Sequence, residues 1–116
     1  MYALLLLNLI IPFVMILVGS LLKKHPVTDM DSHNGYNTPV SRKSQAHWDY
    51  AQEIAPDIFI STGVRLGIIE IVLSVLFFTL RFSPIVGIII GNVLGFAFLV
   101  WSFIKTDSKI KKDIPA

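Results

Sequence analysis

The chain has 116 residues, of which 53% are hydrophobic and only 16% charged, with a net charge of +2; an ordinary soluble domain carries roughly 25% charged residues. That balance argues against a water-soluble globule of this length, and the absence of cysteine excludes a disulfide framework, Cys-ligated zinc and thiol redox chemistry. The reading that remains is a single all-α integral membrane domain, 1–116.

Residues 3–22 form the first of three apolar stretches. Each is close to twenty residues, enough helix to cross the roughly 30 Å hydrocarbon core of a bilayer. No basic side chain precedes the run, it is too long for a signal h-region, no A-x-A site follows it, and Lys23 and Lys24 come directly after it. It is therefore read as a retained transmembrane helix. Asn8, Pro12, Met15 and Gly19 make an irregular stripe along it, and Pro12, lacking an N–H, frees the carbonyl of Asn8.

Residues 23–57 form a polar connection. Asn34-Gly35 is a turn signal, Pro39 keeps Thr38 extended, and Ser41 stands where an N-cap would before the helix-prone run 42–55. Ser44, Trp48, Ala51 and Ala55 share one face of that run. The spacing predicts a short amphipathic helix on the membrane surface, with Trp48 dipping into the headgroup layer and Pro56 ending or kinking the helix. His25, His33 and His47 accompany Asp29 and Asp31, but their spacings match no metal-ligand motif and fit solvated loop residues. Nor is there a Ser/His/Asp arrangement, an HExxH or a phosphate-binding glycine loop. No enzymatic activity, metal or cofactor is expected.

Residues 58–80 form the second span, which carries Arg65 and Glu70. About fifteen Ile, Leu, Val and Phe residues at roughly −0.5 kcal/mol each outweigh two charges at about +3 each by a small margin. Arg65 lies near one end and can snorkel to the interface. Glu70 lies near mid-depth, is too short to snorkel, and needs a partner, a wet cavity or a proton. Gly63, Gly67, Glu70 and Ser74 fall on one helical stripe.

A turn at 81–84 is so short that the second and third spans must form an antiparallel hairpin, with Pro84 suited to the first helical turn. Residues 85–104 form the third span, where Gly87, Gly91, Gly95 and Ser102 make a stripe flanked by Asn92. Small residues four apart mark close helix contacts in lipid, so the glycine stripes of the second and third spans are expected to face each other. Folding the hairpin then predicts a polar cluster of Glu70, Asn92 and the Asn8/Pro12 region. Residues 105–116 are a basic tail that suits anionic headgroups and not nucleic acid.

Lys23, Lys24, Arg42 and Lys43 lie in the first connection and Lys105, Lys109, Lys111 and Lys112 in the tail, whereas the 81–84 turn holds only Arg81. The positive-inside rule then puts the N-terminus outside and the 23–57 segment and tail in the cytoplasm. Tyr2 and Trp101 fall near opposite interfaces.

Gly35-Tyr36-Asn37-Thr38, Ser41, Trp48 and Ala51 resemble the SdpI family of small bacterial membrane proteins, whose pattern is approximately G-[YF]-R-T-x-x-S-x-x-N-x-x-x-W-x-x-A-N between one transmembrane helix and a following pair. The similar arrangement covers nearly the whole chain. Asn37, Ser44 and Gln52 stand where the family usually has Arg, Asn and Asn, which marks a diverged member. The resemblance implies a multi-pass protein of the bacterial plasma membrane with a role in immunity to a secreted toxin peptide, in membrane sequestration of a transcriptional repressor, or in both. Its partners would be the bilayer, the toxin peptide or repressor, and a second copy of the chain. The residues leave two rival readings: a small transporter or transporter subunit using Glu70 as a proton or cation site, and a structural subunit of a membrane complex.

Overall fold

In the computed structural model, residues 2–32 and 34–115 are described. Among them the secondary structure is entirely helical. Helix α1 spans Tyr2–Asn8, α2 Ile10–Lys24, α3 Gln45–Thr79 and α4 Pro84–Asp113, with a short 3-10 turn at Met30–Ser32.

The first apolar stretch is a bent pair. Helices α1 and α2 meet at Leu9 with a change of direction of 41°. The break lies between Asn8 and Pro12, whose missing N–H leaves the Asn8 carbonyl without its helical partner. Helices α3 and α4 are each long and apolar enough to cross a membrane, and α1 with α2 passes the same test as a pair.

The expected surface helix is replaced by something larger. Helix α3 runs unbroken for 35 residues, through Pro56, so the 42–55 run and the second span are one rod. Pro56 removes one backbone hydrogen bond, to the carbonyl of Gln52, and packing against α2 and α4 holds the rod on both sides of it. The N-cap is Ser44, whose side chain accepts from the His47 backbone N–H, and not Ser41. Helix α4 likewise continues beyond residue 104 to Asp113. At 1.5 Å per residue α3 is about 52 Å long and α4 about 45 Å, and the molecule measures 52 × 24 × 18 Å. Both helices therefore project well past a 30 Å apolar core at the same end.

Between them, Arg81 closes α3. The Arg81 N–H donates to the Phe78 carbonyl and the Phe82 N–H to the Phe77 carbonyl, with Arg81 in the left-handed region at φ 57°. This is a Schellman end with arginine where glycine is usual.

Surface chemistry divides the molecule in two. Exposed large hydrophobic side chains run from Tyr2 to Leu21, from Val64 to Phe82 and from Ile85 to Ile104, while the described residues within 22–63 expose none of this kind. The apolar end is inside-out relative to a soluble protein: its polar side chains Asn8, Thr62, Glu70, Ser74 and Ser102 are buried and its Ile, Val and Phe are exposed.

The glycine stripes do not face each other. Both walls of the α3–α4 hairpin present glycine to the first helix pair, which lies between them. A Cβ at Gly63 would stand 3.1 Å from Met15 Cβ and 3.2 Å from the Pro12 carbonyl oxygen; one at Gly95 would stand 3.0 Å from Ile11 Cδ1. At Gly87 it would meet Leu4 and Phe77, both at 2.9 Å, and at Gly91 it would overlap the Asn8 amide. At Gly67 the nearest atom, Pro12 Cβ, is 3.7 Å away, an ordinary contact. Gly91→Ala is thus expected to destabilise the purified chain by about 1–3 kcal/mol, whereas Gly67→Ala leaves thermal unfolding in detergent unchanged. Equal melting temperatures for the two variants would contradict this packing.

Candidate functional site

Two polar constellations stand out, one at each end of the bundle. At the polar end the turn after α2 folds back over α3 and α4. Gly35 has φ 79°, which L residues rarely adopt, and a Cβ there would overlap the Gln52 amide. The bare backbone lets Gln52 grip the next residue twice. The Tyr36 N–H donates to Gln52 Oε1 at 2.9 Å, and Gln52 Nε2 donates to the Tyr36 carbonyl at 2.7 Å.

The Tyr36 ring then enters the space between α3 and α4, stacked on Phe103 at 5.5 Å and edge-on to Phe59 at 6.0 Å. Its hydroxyl lies 2.7 Å from Asp107 Oδ1 and 3.0 Å from the Phe103 carbonyl, both acceptors. Thr38 Oγ1 donates to the same Asp107 oxygen at 2.8 Å. Ser41 closes the turn: its Oγ accepts from the Thr38 N–H at 2.8 Å and donates to the Thr38 carbonyl at 2.9 Å. Trp48 is fully buried, and its Nε1 donates to the Val27 carbonyl at 2.9 Å. Placement of Trp48 in the headgroup layer is therefore corrected: the face Trp48–Ala51–Ala55 turns inward, covered by the connection and not by lipid. Ala51 and Ala55 pack with Tyr36 and with Ile110 of α4.

Gly35, Tyr36, Thr38, Ser41, Trp48 and Ala51 are thus brought into one layer. Gln52 and Asp107 complete it, and sequence reasoning missed both as contributors. Asp107 lies 69 and 71 residues from its two partners, inside a basic tail, so no local pattern marks it. Gln52 carried a signal, an amide at the position where the related pattern has Asn. Ser44, the other such position, is the helix cap, a task that Ser and Asn perform about equally. Beside exposed Asn37, the Arg42 guanidinium reaches Oδ1 at 3.5 Å and the Met30 carbonyl at 2.9 Å. A positive charge therefore stands next to position 37 by another route.

Burial, then the hydrogen bond to Asp107 and the negative charge of its carboxylate, push the Tyr36 phenol well above its usual range. At the rim Tyr50 donates to Asp113, and that bond pushes its phenol up to about 12. Beneath the layer, against Val18, Gly19, Phe59 and Phe103, is an apolar cavity of about 200 Å³; on its flank lies a groove of about 520 Å³ with Lys23, Gln45, Asp49 and Glu53 among its lining residues. No group of three His, Cys, Asp or Glu side chains that could hold a metal ion occurs among the described residues, and His33 lies outside them.

The second constellation sits at the bend of the first helix pair. Asn8 Nδ2 donates to Ser74 Oγ at 3.2 Å and to the Gly87 carbonyl at 3.3 Å, and Asn92 Nδ2 donates to Asn8 Oδ1 at 3.4 Å and to the Ile88 carbonyl at 2.8 Å. Asn8 and Asn92 are brought together, with Ser74 as the third member. Glu70 is not bonded to them. Its side chain is 1% exposed and neither carboxylate oxygen has a hydrogen-bond partner. It lies on the stripe between Gly67, which adjoins Pro12, and Ser74, which holds Asn8, so it faces the break between α1 and α2. Arg65 is exposed and lies elsewhere on α3.

The model of the SdpI/YfhL protein family matches residues 28–104. No curated protein and no solved structure matches the chain.

Two outcomes follow from the polar layer. Gln52→Ala strands a buried N–H and carbonyl at Tyr36 and should lower unfolding free energy by about 2 kcal/mol, read by chemical or thermal unfolding in detergent. Because the folded protein raises the Tyr36 phenol, the protonated form is the one that stabilises. Its contribution is complete below the ordinary phenol pKa of about 10 and is lost as pH rises toward the folded value. The stability gap between the native chain and Tyr36→Phe should therefore be constant from neutral pH to about pH 9 and shrink above pH 10; a gap that widens there would refute the assignment.

Proposed function

The chain belongs to the SdpI/YfhL family, and from that premise we propose that it is a membrane immunity or signalling protein of the SdpI type, acting by binding. It spans the bacterial plasma membrane three times, the bent α1–α2 pair counting as one span, with its N-terminus outside. The polar layer is cytoplasmic. Support for this orientation comes from Lys23, Lys24, Arg42, Lys43 and the tail lysines, which belong to the polar end, and from Arg81, alone at the opposite turn.

The observation that carries the reading is the inward use of the motif residues. Tyr36, Ser41, Trp48 and Ala51 are buried, so they shape a rigid platform and do not themselves touch a partner. Contact falls to what the platform presents, above all the groove bordered by Asp49 and Glu53. A cytoplasmic regulator, or a toxin peptide's effect relayed through the helices to this face, would be read there.

This separates folding from function. Trp48→Ala would open a large cavity and cost about 3–5 kcal/mol, so it tests stability. Asp49→Lys with Glu53→Lys changes exposed side chains only and tests binding. Host cells lacking the gene should lose survival when challenged with medium from dense cultures of their own kind. The intact chain should restore survival, and the double variant, expressed to the same level, should not. Unchanged survival on deletion removes the immunity reading.

Glu70 favours a second reading, a small transporter or transporter subunit. A charged carboxylate buried without a donor costs several kcal/mol, so the group needs a proton, a cation or a partner. Proteoliposomes holding the chain would then show proton or cation flux that Glu70→Gln abolishes; flux no greater than in protein-free vesicles excludes it.

A further inference from the structure

Outside both constellations, α3 and α4 form a groove of about 380 Å³ lined by Thr62, Arg65, Ala97, Phe98 and Trp101. Its position is set by the surface division: exposed apolar side chains begin at Val64 on α3 and end at Ile104 on α4. Arg65 and Trp101 therefore lie where the apolar surface meets the polar layer. One helical turn beyond Trp101, Lys105 folds back toward the groove, its Nζ 4.9 Å from the centre of the Trp101 ring.

Neither cation has a carboxylate counter-charge among the described residues. Asp57 pairs with Lys23 at 2.7 Å, and Asp107 accepts from Tyr36 and Thr38. Asp107 also lies about 200° around α4 from Lys105. The groove thus has an apolar wall, an aromatic side and two positive charges without a carboxylate partner at its polar rim.

We infer that this groove binds one anionic phospholipid, with the headgroup phosphate between Arg65 and Lys105 and an acyl chain along Ala97 and Phe98. The inference rests on the membrane reading above and adds a ligand to it. Charge decides the class: a zwitterionic lipid brings no net charge to set against the two cations, whereas a phosphodiester with a neutral headgroup offsets one of them and can accept two hydrogen bonds from the guanidinium. Arg65 is then a lipid ligand as well as a snorkelling anchor. Thr62, one turn from Arg65 on the same helix face, lines the buried side of the groove.

Trp101 provides the readout, because it is exposed beside the groove while Trp48, the second tryptophan, is buried in the polar layer. The full chain is reconstituted into phosphatidylcholine vesicles in which a fraction of the lipid, either phosphatidylglycerol or phosphatidylcholine, carries brominated chains. Brominated phosphatidylglycerol should quench the tryptophan emission more than brominated phosphatidylcholine at equal mole fraction. Arg65→Gln with Lys105→Gln should weaken the preference roughly tenfold, and Arg65→Lys should retain most of it. Lys111→Gln with Lys112→Gln, which removes the same charge from the tail, should leave it intact.

Four results would overturn the proposal. Equal quenching by both lipids means no selective site, and an equal loss in the tail variant means diffuse attraction to the surface. Displacement of brominated phosphatidylglycerol by inorganic phosphate means a soluble anion fills the groove. A cross-linked dimer that shields Trp101 from both lipids means a second copy covers it. Emission untouched by either brominated lipid would, in addition, overturn the membrane reading itself.

Discussion

The structure depends on how closely the first helix pair can approach the other two. Helices α1 and α2 lie in a cradle whose walls are Gly63 on one side and Gly87, Gly91 and Gly95 on the other. In lipid there is little hydrophobic gain in bringing apolar helices together, so association relies on close packing and on internal hydrogen bonds. Glycine supplies the closeness, and closeness is what puts the Asn8 amide against Ser74, Gly87 and Asn92. A methyl group at Gly91 would occupy the space of that amide. The polar network therefore exists because the cradle is narrow.

The same cradle explains the bend. A straight helix would carry Tyr2–Asn8 along the direction of α2, but Pro12 removes the bond to the Asn8 carbonyl and lets the chain turn by 41°. The turned segment brings Asn8 to the point where the first helix pair meets α3 and α4. Glu70 faces the weakened point in the helix and has no donor. A defect in backbone bonding and an unpartnered carboxyl at one depth are a costly combination in an apolar medium.

At the polar end the organising group is Asp107. One of its oxygens receives both the Tyr36 and the Thr38 hydroxyls, which fastens the connection to α4, while Gln52 fastens it to α3. The projecting ends of the two long helices become a single body with the loop between them. Residues that a sequence reading treats as turn, cap and interface anchor turn out to be parts of one interlocked layer, and this is why the motif looks generic residue by residue yet holds a specific shape.

The amino-acid sequence by itself determined the helical class, the apolar stretches, the hairpin turn, the weakened helix at Pro12 and the residues of the motif. Hydropathy and turn chemistry are local, and they report which side chains share a face. They do not report what covers that face. Helix and lipid are equally apolar, so periodicity put Gly63 and Gly87 on stripes without revealing that both turn toward α1 and α2. Pro56 marked an end or a kink by local propensity, but packing along α2 and α4 carried the helix through it. Trp48 fits an interfacial anchor in every local respect, and only the folded connection, with Val27 above its ring nitrogen, buries it. Asp107 was beyond reach because its partners are some seventy residues away and loop closure over that distance leaves no trace in composition. Tertiary structure decided the partners, and in this protein the partners decide which residues build the body and which remain free to bind.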